Sequence, residues 1–216
     1  MFRLSTDTNE IDQAIAPIAE AVFPVVPGAK ISSMHGYSLY SALKGVFPWL
    51  EDCPLTAIAT IAGIPDENRG IEIVEWSRLR IRVPLAKASA LYGLAGKKLQ
   101  IGQGRIALKT PEILPLRLKP KLRARIVTIK LKPRSNSPSP DRFLAVATRQ
   151  LEERGIRGRP SIIVKNGELD SKALIIKGHK IPGYGMEVRN LTEEDSLKLQ
   201  TLGLGGRRKM GAGFFL

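Results

Sequence analysis

Cysteine occurs once, at Cys53, and histidine twice, at His35 and His179. One thiol excludes an internal disulfide, and one thiol with two imidazoles cannot complete a four-ligand Cys/His zinc site, so no metal and no cofactor is expected. Acidic residues are outnumbered, 20 against 34 Lys and Arg, and the formal net charge of +14 requires a polyanionic partner, nucleic acid first, or a strongly screened environment. No apolar run approaches the roughly 20 residues a membrane span needs, and no basic amphipathic helix stands out, so no membrane partner is expected. Asp7, Glu10 and Asp12 stand where an export signal would carry a basic and then an apolar stretch, which makes the cytoplasm the expected location.

What is present is enough for a core: 216 residues, 43% of them apolar. Met1 to Ala16 is a polar, acidic lead-in or an extra piece of strand. Ile18 to Val26 then reads as a strand ended by Pro27-Gly28, and Ser33 to Phe47 as a helix with Tyr37, Tyr40, Leu43 and Phe47 at helical spacing before Pro48. Thr56 to Ile64 and Gly70 to Val83 are strand candidates about the turn Pro65-Asp66-Glu67-Asn68. A short helix from Leu85 to Gly93 follows, and Leu99 to Ile101 pairs with Arg105 to Leu108 across Gly102-Gln103-Gly104.

The order β-α-β-β-α-β is that of a ferredoxin-like (RRM-like) unit, and the second half repeats it in layout. Leu122 to Leu131 is a strand and Asp141 to Arg154 a helix with Phe143, Val146, Ala147 and Leu151 on one face. Ser161 to Lys165, Ala173 to Lys177 and Gly185 to Arg189 are strand candidates, Thr192 to Leu202 is the second helix, and Phe214 to Leu216 opens a last strand. The reading is therefore α+β, with two tandem ferredoxin-like domains and antiparallel sheets, 1–118 and 119–216. The proline-bearing stretch Ile113 to Lys121 lies between them, and Pro133 to Pro140 is a polar loop within the second.

Near the C-terminus, Gly203-Leu204-Gly205-Gly206-Arg207-Arg208-Lys209-Met210-Gly211-Ala212-Gly213 encloses three consecutive cations between glycines. Glycine lets backbone approach a ligand and Arg and Lys supply charge, so the loop reads as an anion cradle, with a flexible tail as the alternative. A dinucleotide loop fits poorly because the helix precedes the glycines, and no Lys-Ser/Thr pair of a P-loop follows them. In Trp76 to Val83, Arg78, Arg80 and Arg82 alternate with Leu79, Ile81 and Val83, placing guanidinium groups on one strand face where phosphates can be gripped. An ordinary solvated sheet face would show the same alternation. Lys119, Lys121, Arg123 and Arg125 continue the pattern.

Imidazole proton transfer has two candidates. His35 sits beside Gly36 at a helix opening, where backbone N–H groups favour an anion. His179 lies in a turn, and a His-x-Thr/Ser pair is excluded by Tyr37 and Ile181. Tyr40 and Lys44, four residues apart, share a helix face and can bring a phenol and an ammonium to one phosphate, although aromatic residues at that spacing also build cores. Cleavage of RNA with such groups runs through attack of a ribose 2′-hydroxyl on the adjacent phosphate.

The glycine, apolar, glycine, five-residue basic spacer, glycine, apolar, glycine pattern over 203–213 resembles the C-terminal signature of the RAMP superfamily, the RNA-binding proteins of CRISPR systems. Met34 to Leu43 is similar to the region of the repeat-processing endoribonuclease in which a histidine opens the first helix. The resemblance implies a metal-independent endoribonuclease acting on CRISPR repeat RNA, a stem-loop, and associated with subunits of an effector complex. It implies catalysis by His35, to which the helix spacing adds Tyr40 and Lys44 as catalytic candidates. RNA would be held by Arg78, Arg80, Arg82, Arg123, Arg125 and the loop residues Gly203, Gly205, Arg207, Arg208, Lys209, Gly211 and Gly213. Met34 stands where a polar residue is expected to orient the imidazole. A non-catalytic guide-binding subunit and a general basic RNA-binding protein fit the same composition.

Overall fold

The computed structural model describes residues 17–131 and 139–216. The lead-in before Pro17 and most of the loop Pro133–Pro140 lie outside the described residues. Strand β1 (Ile18–Pro24) is followed by the short β2 (Lys30–Ser32) and by helix α1 (Gly36–Val46), which buries Gly36, Leu39, Tyr40 and Leu43 at the i, i+3, i+4, i+7 spacing. Strands β3 (Ala57–Ile58), β4 (Ile64–Pro65), β5 (Gly70–Glu72) and β6 (Arg78–Pro84) follow. Helix α2 (Leu85–Ala88) is a single turn that passes into a 3₁₀ segment over Ser89–Leu94. Strands β7 (Lys98–Ile101) and β8 (Gly104–Ala107) form the expected hairpin.

The first sheet has the antiparallel order β3-β6-β1-β9, where β9 is Glu112–Pro115. Counting β1, β3, β6 and β9 as its four strands, the first and third are central, which is the ferredoxin-like arrangement. Two expectations are corrected here. The fourth strand comes from the stretch read as a linker, with Ala21 opposite Ile113, while the β7-β8 hairpin is an addition to the domain. The long strands expected over 56–64 and 70–83 are each broken, because the 64–72 hairpin pairs with β2 in a separate three-stranded sheet.

In the second half, β10 (Lys121–Val127) precedes α3 (Pro140–Glu153), whose Ser139 cap accepts from the Arg142 amide. Strands β11 (Arg159–Ile162), β12 (Val164–Lys165), β13 (Glu168–Leu169), β14 (Ser171–Ile176) and β15 (His179–Arg189) come next, then α4 (Glu193–Leu202) capped by Thr192. The sheet order is β10-β15-β11, with β14 also on β15. Residues 185–189 belong to the eleven-residue β15, its central strand, rather than to a short strand of their own. Phe215 bridges Ala124, and Arg123 and Leu216 exchange backbone hydrogen bonds at 2.9 Å, so the chain's last residues complete this sheet on the free side of β10.

Each sheet has its own core. Phe23, Leu39, Leu43, Leu79, Ile81 and Leu91 fill the first, and Phe143, Tyr184, Met186, Val188 and Phe215 the second. Each fully buried Leu or Phe removes enough apolar surface to stabilise by about 1.5–3 kcal/mol. Residues 116–120 connect the sheets. No helix of the described residues is long and apolar enough to cross a membrane.

Candidate active site

Between the sheets lies an open cleft of about 830 Å³. Its first wall is Ser33 and Met34 at the opening of α1 with Ala59 to Gly63; its second is formed by β10, the 165–182 region and the C-terminal residues Gly211, Phe214 and Leu216. Arg123, Arg125, Lys165, Lys172 and Lys180 line it, and no Asp or Glu side chain does among the described lining residues. Carboxylates outside the lining hold three of these cations, Arg123, Lys165 and Lys172. Glu187 pairs with Arg123 and Arg189, and Asp170 pairs with Lys172 at 2.5 Å and Lys165 at 3.5 Å. Burial works against the charged form of Glu187, but the two guanidinium groups overcome it and hold its carboxyl below the usual range. Arg125 donates to the Ser33 carbonyl at 3.3 Å and so ties the walls together.

His35 stands directly behind this wall, 2% exposed. The Ile61 amide donates to its Nε2 at 2.9 Å, which fixes the proton on Nδ1, and Nδ1 donates to the Ser32 carbonyl at 2.7 Å. This bond supplies the tautomer partner that Met34 cannot. Burial lowers the pKa from the ordinary 6.5 to about 4; the Ser32 carbonyl opposes the shift and Arg125 adds to it. The imidazole is therefore neutral, with its lone pair turned toward Ile61.

Two companions expected for His35 are elsewhere. Tyr40 packs in the first core, and burial raises the pKa of its phenol. Lys44 pairs with Glu51 and lies roughly 13 Å further along α1 at 1.5 Å per residue, too far to share a phosphate with the imidazole. The shared face of Tyr40 and Lys44 is real, but it turns to Glu51 and the core.

The arginine stripe is also redistributed. Arg78 donates to the carbonyls of Glu75 and Ser77, Arg80 pairs with Glu20 at 2.6 Å, and Arg82 is 1% exposed. The alternation holds, with Leu79, Ile81 and Val83 fully buried, but α4 and Phe214 cover Arg82, which has no surface left for RNA.

The glycine-rich stretch is folded rather than a tail: Leu204, Ala212 and Phe215 are fully buried. Its amides do not form an open cradle, because those of Gly205, Gly206 and Gly213 donate to Gln150, Thr128 and Ile126. The glycines instead permit close packing across the two halves. A methyl group at Gly36 would overlap the Met210 carbonyl, and one at Gly211, where φ is +89°, would overlap Thr60. This places the loop's 3₁₀ turn, Arg208–Met210, against the opening of α1. Of its cations Arg207 is exposed, Arg208 donates to the Thr201 carbonyl and Lys209 to the Glu51 carbonyl at 2.6 Å. Lys165, Lys172 and Lys180 are cleft residues that sequence reasoning missed. They sit on a hairpin and its approach, where no period relates them to Arg123 and Arg125.

Comparisons with known proteins agree with this architecture. A family model described as Cas6, Crispr, matches residues 20–216. A CRISPR-associated endonuclease Cas6 of Myxococcus xanthus (strain DK1622) is 31% identical over 197 residues, spanning 91% of this chain and 80% of that protein. Among solved structures, a Cas6-related protein of Pyrococcus furiosus superposes with a TM-score of 0.61 at 17% identity, covering 93% of this chain and 97% of the other. A CRISPR associated protein Cas6 does so with a TM-score of 0.59 at 14% identity, covering 93% and 98%.

Proposed function

The chain belongs to the Cas6 family of CRISPR-associated endonucleases, and on that premise we propose that it is an endoribonuclease that cuts the repeat RNA of a precursor transcript into guide RNAs, without metal, from the interdomain cleft. The observation that carries this reading is the cleft itself, with five cations facing it beside the opening of α1. That field attracts a phosphate backbone and balances the charge of a pentacoordinate phosphorus.

The chemistry uses the nucleophile that RNA already carries. The 2′-oxygen forms a bond to the adjacent phosphorus as its proton passes to a base, the bond from phosphorus to the 5′-oxygen breaks, and that oxygen takes up a proton. The products are a 2′,3′-cyclic phosphate and a 5′-hydroxyl. We assign proton acceptance to His35 in a second rotamer, with Nε2 released from the Ile61 amide and turned past Met34 into the cleft. Leaving the apolar pocket removes the burial that depresses its basicity, bringing the imidazole back toward the ordinary range. Arg125, already against the Ser33 carbonyl, is a cation whose charge acts on this imidazole. The RNA partner is a repeat stem-loop, and other subunits of an effector complex are its protein partners.

A repeat RNA with a single 2′-deoxy nucleotide at the cleavage position, incubated with the protein and chelator, tests this reading. It should bind as the unmodified RNA does and remain uncut, whereas cutting of the deoxy substrate would overturn the mechanism.

A further inference from the structure

Both ends of the glycine-rich stretch rest on one buried guanidinium. Arg82, on β6, is the largest fully buried side chain of the described residues. Its Nε donates to Glu20 Oε2 at 2.7 Å, its Nη1 to the Gln200 carbonyl at 3.2 Å and its Nη2 to Gln200 Oε1 at 3.1 Å. Its face stacks on the Phe214 ring, 4.1 Å from the centroid. Gln200 is in the last turn of α4, where carbonyls run out of intrahelical donors and the helix end is negative, so a cation there is doubly favoured. Gln200 stands just before Gly203 and Phe214 directly after Gly213.

The network reaches further. Gln200 Nε2 donates to the Arg117 carbonyl at 2.8 Å, and Ser196 Oγ accepts from the Lys119 amide at 2.9 Å, so the segment joining the halves is held by the same helix. Phe214 also lines the cleft. A side chain that only filled space here would be aliphatic. A planar fork is needed to satisfy Glu20 and Gln200 together while stacking on a ring, and Lys cannot do all of these.

We propose that Arg82 is a positioning residue for cleavage: it sets the two ends of the 203–213 loop against the first sheet, and through them the Arg208–Met210 turn and Phe214 beside the opening of α1. The inference rests on the endoribonuclease reading above, but one arm of its test does not depend on cleavage. Arg82→Lys keeps the charge beside Glu20 and removes the fork. Single-turnover cleavage of repeat RNA at saturating Arg82→Lys protein should fall about 10- to 100-fold, the range expected for a misplacement near 1 Å, with RNA affinity held within about threefold. Amide exchange at Gly211 to Gly213 should quicken at temperatures well below the variant's melting midpoint, while exchange in β1 stays at its wild-type rate. Gln200→Met, which keeps Arg82 and its ion pair, should give the same pattern at smaller size, and it serves if Arg82→Lys does not fold. A variant whose folded fraction cleaves at the wild-type rate with unchanged exchange in the loop would make Arg82 merely structural and overturn the proposal. Exchange that quickens while cleavage persists at the wild-type rate would overturn it as well.

Discussion

The Ile61 amide donates to Nε2 of His35 at 2.9 Å, joining the opening of α1 to the segment after β3 through an imidazole rather than through backbone pairing. The folded protein takes up a proton at this ring only near pH 4, the unfolded chain near 6.5. The unfolded state therefore binds more protons between these values, and stability falls as pH drops from 6.5 toward 4. The loss is on the order of 3 kcal/mol for a shift of this size. Urea unfolding of the wild type and His35→Gln across this window checks it. The buried carboxylates Glu187 and Asp195 contribute acid sensitivity to both proteins, so the difference between the two curves should change with pH by the His35 share between about pH 4 and 6.5 and become constant above about pH 7.

Glycines of similar appearance should behave differently. Gly36→Ala pushes a methyl into the Met210 carbonyl and is expected to destabilise by about 1–3 kcal/mol and to slow cleavage, since it displaces the loop from α1. Gly206→Ala meets nothing within 4 Å and should stay within about 0.5 kcal/mol of the wild type. Thermal melts with a cleavage assay on both variants make the comparison.

Salt dependence reads the cleft cations. Lys165→Ala and Lys180→Ala should each weaken binding of repeat RNA and reduce the slope of log affinity against log salt by about 0.7 if one single-stranded phosphate contact is lost. A slope unchanged in both would move the RNA path out of the cleft.

Lys44 pairs with Glu51 and Tyr40 faces the first core. Lys44→Ala and Tyr40→Phe should therefore cleave repeat RNA within about threefold of the wild type, as expected of substitutions outside the transition state. A hundredfold slower chemical step in either would return that pair to the reaction.

The ferredoxin-like order, helices α1, α3 and α4, and the placing of the glycine stretch between a helix and a last strand could be read from sequence because each rests on local period or on turn residues. What escaped reading depends on what lies across the sheet. Arg82 and Arg123 both alternate with apolar residues, yet α4 covers one and solvent and Glu187 meet the other. Residues 112–115 are too short and too proline-flanked to announce a strand, and only their pairing with β1 makes them one. Lys172 and Lys180 reach the cleft by the turn of a hairpin, which brings together residues that share no spacing. Burial of His35 follows from the Ile61 amide, 26 positions away, and no local pattern encodes it.

The most direct measurement is single-turnover cleavage of repeat RNA by His35→Ala, with chelator present and with binding followed on the same samples. If the imidazole accepts the 2′-hydroxyl proton, cleavage falls at least about 100-fold while affinity changes little, as loss of a general base requires. Cleavage at the wild-type rate by a folded His35→Ala protein would contradict the account and leave His35 as a tie between α1 and the segment after β3.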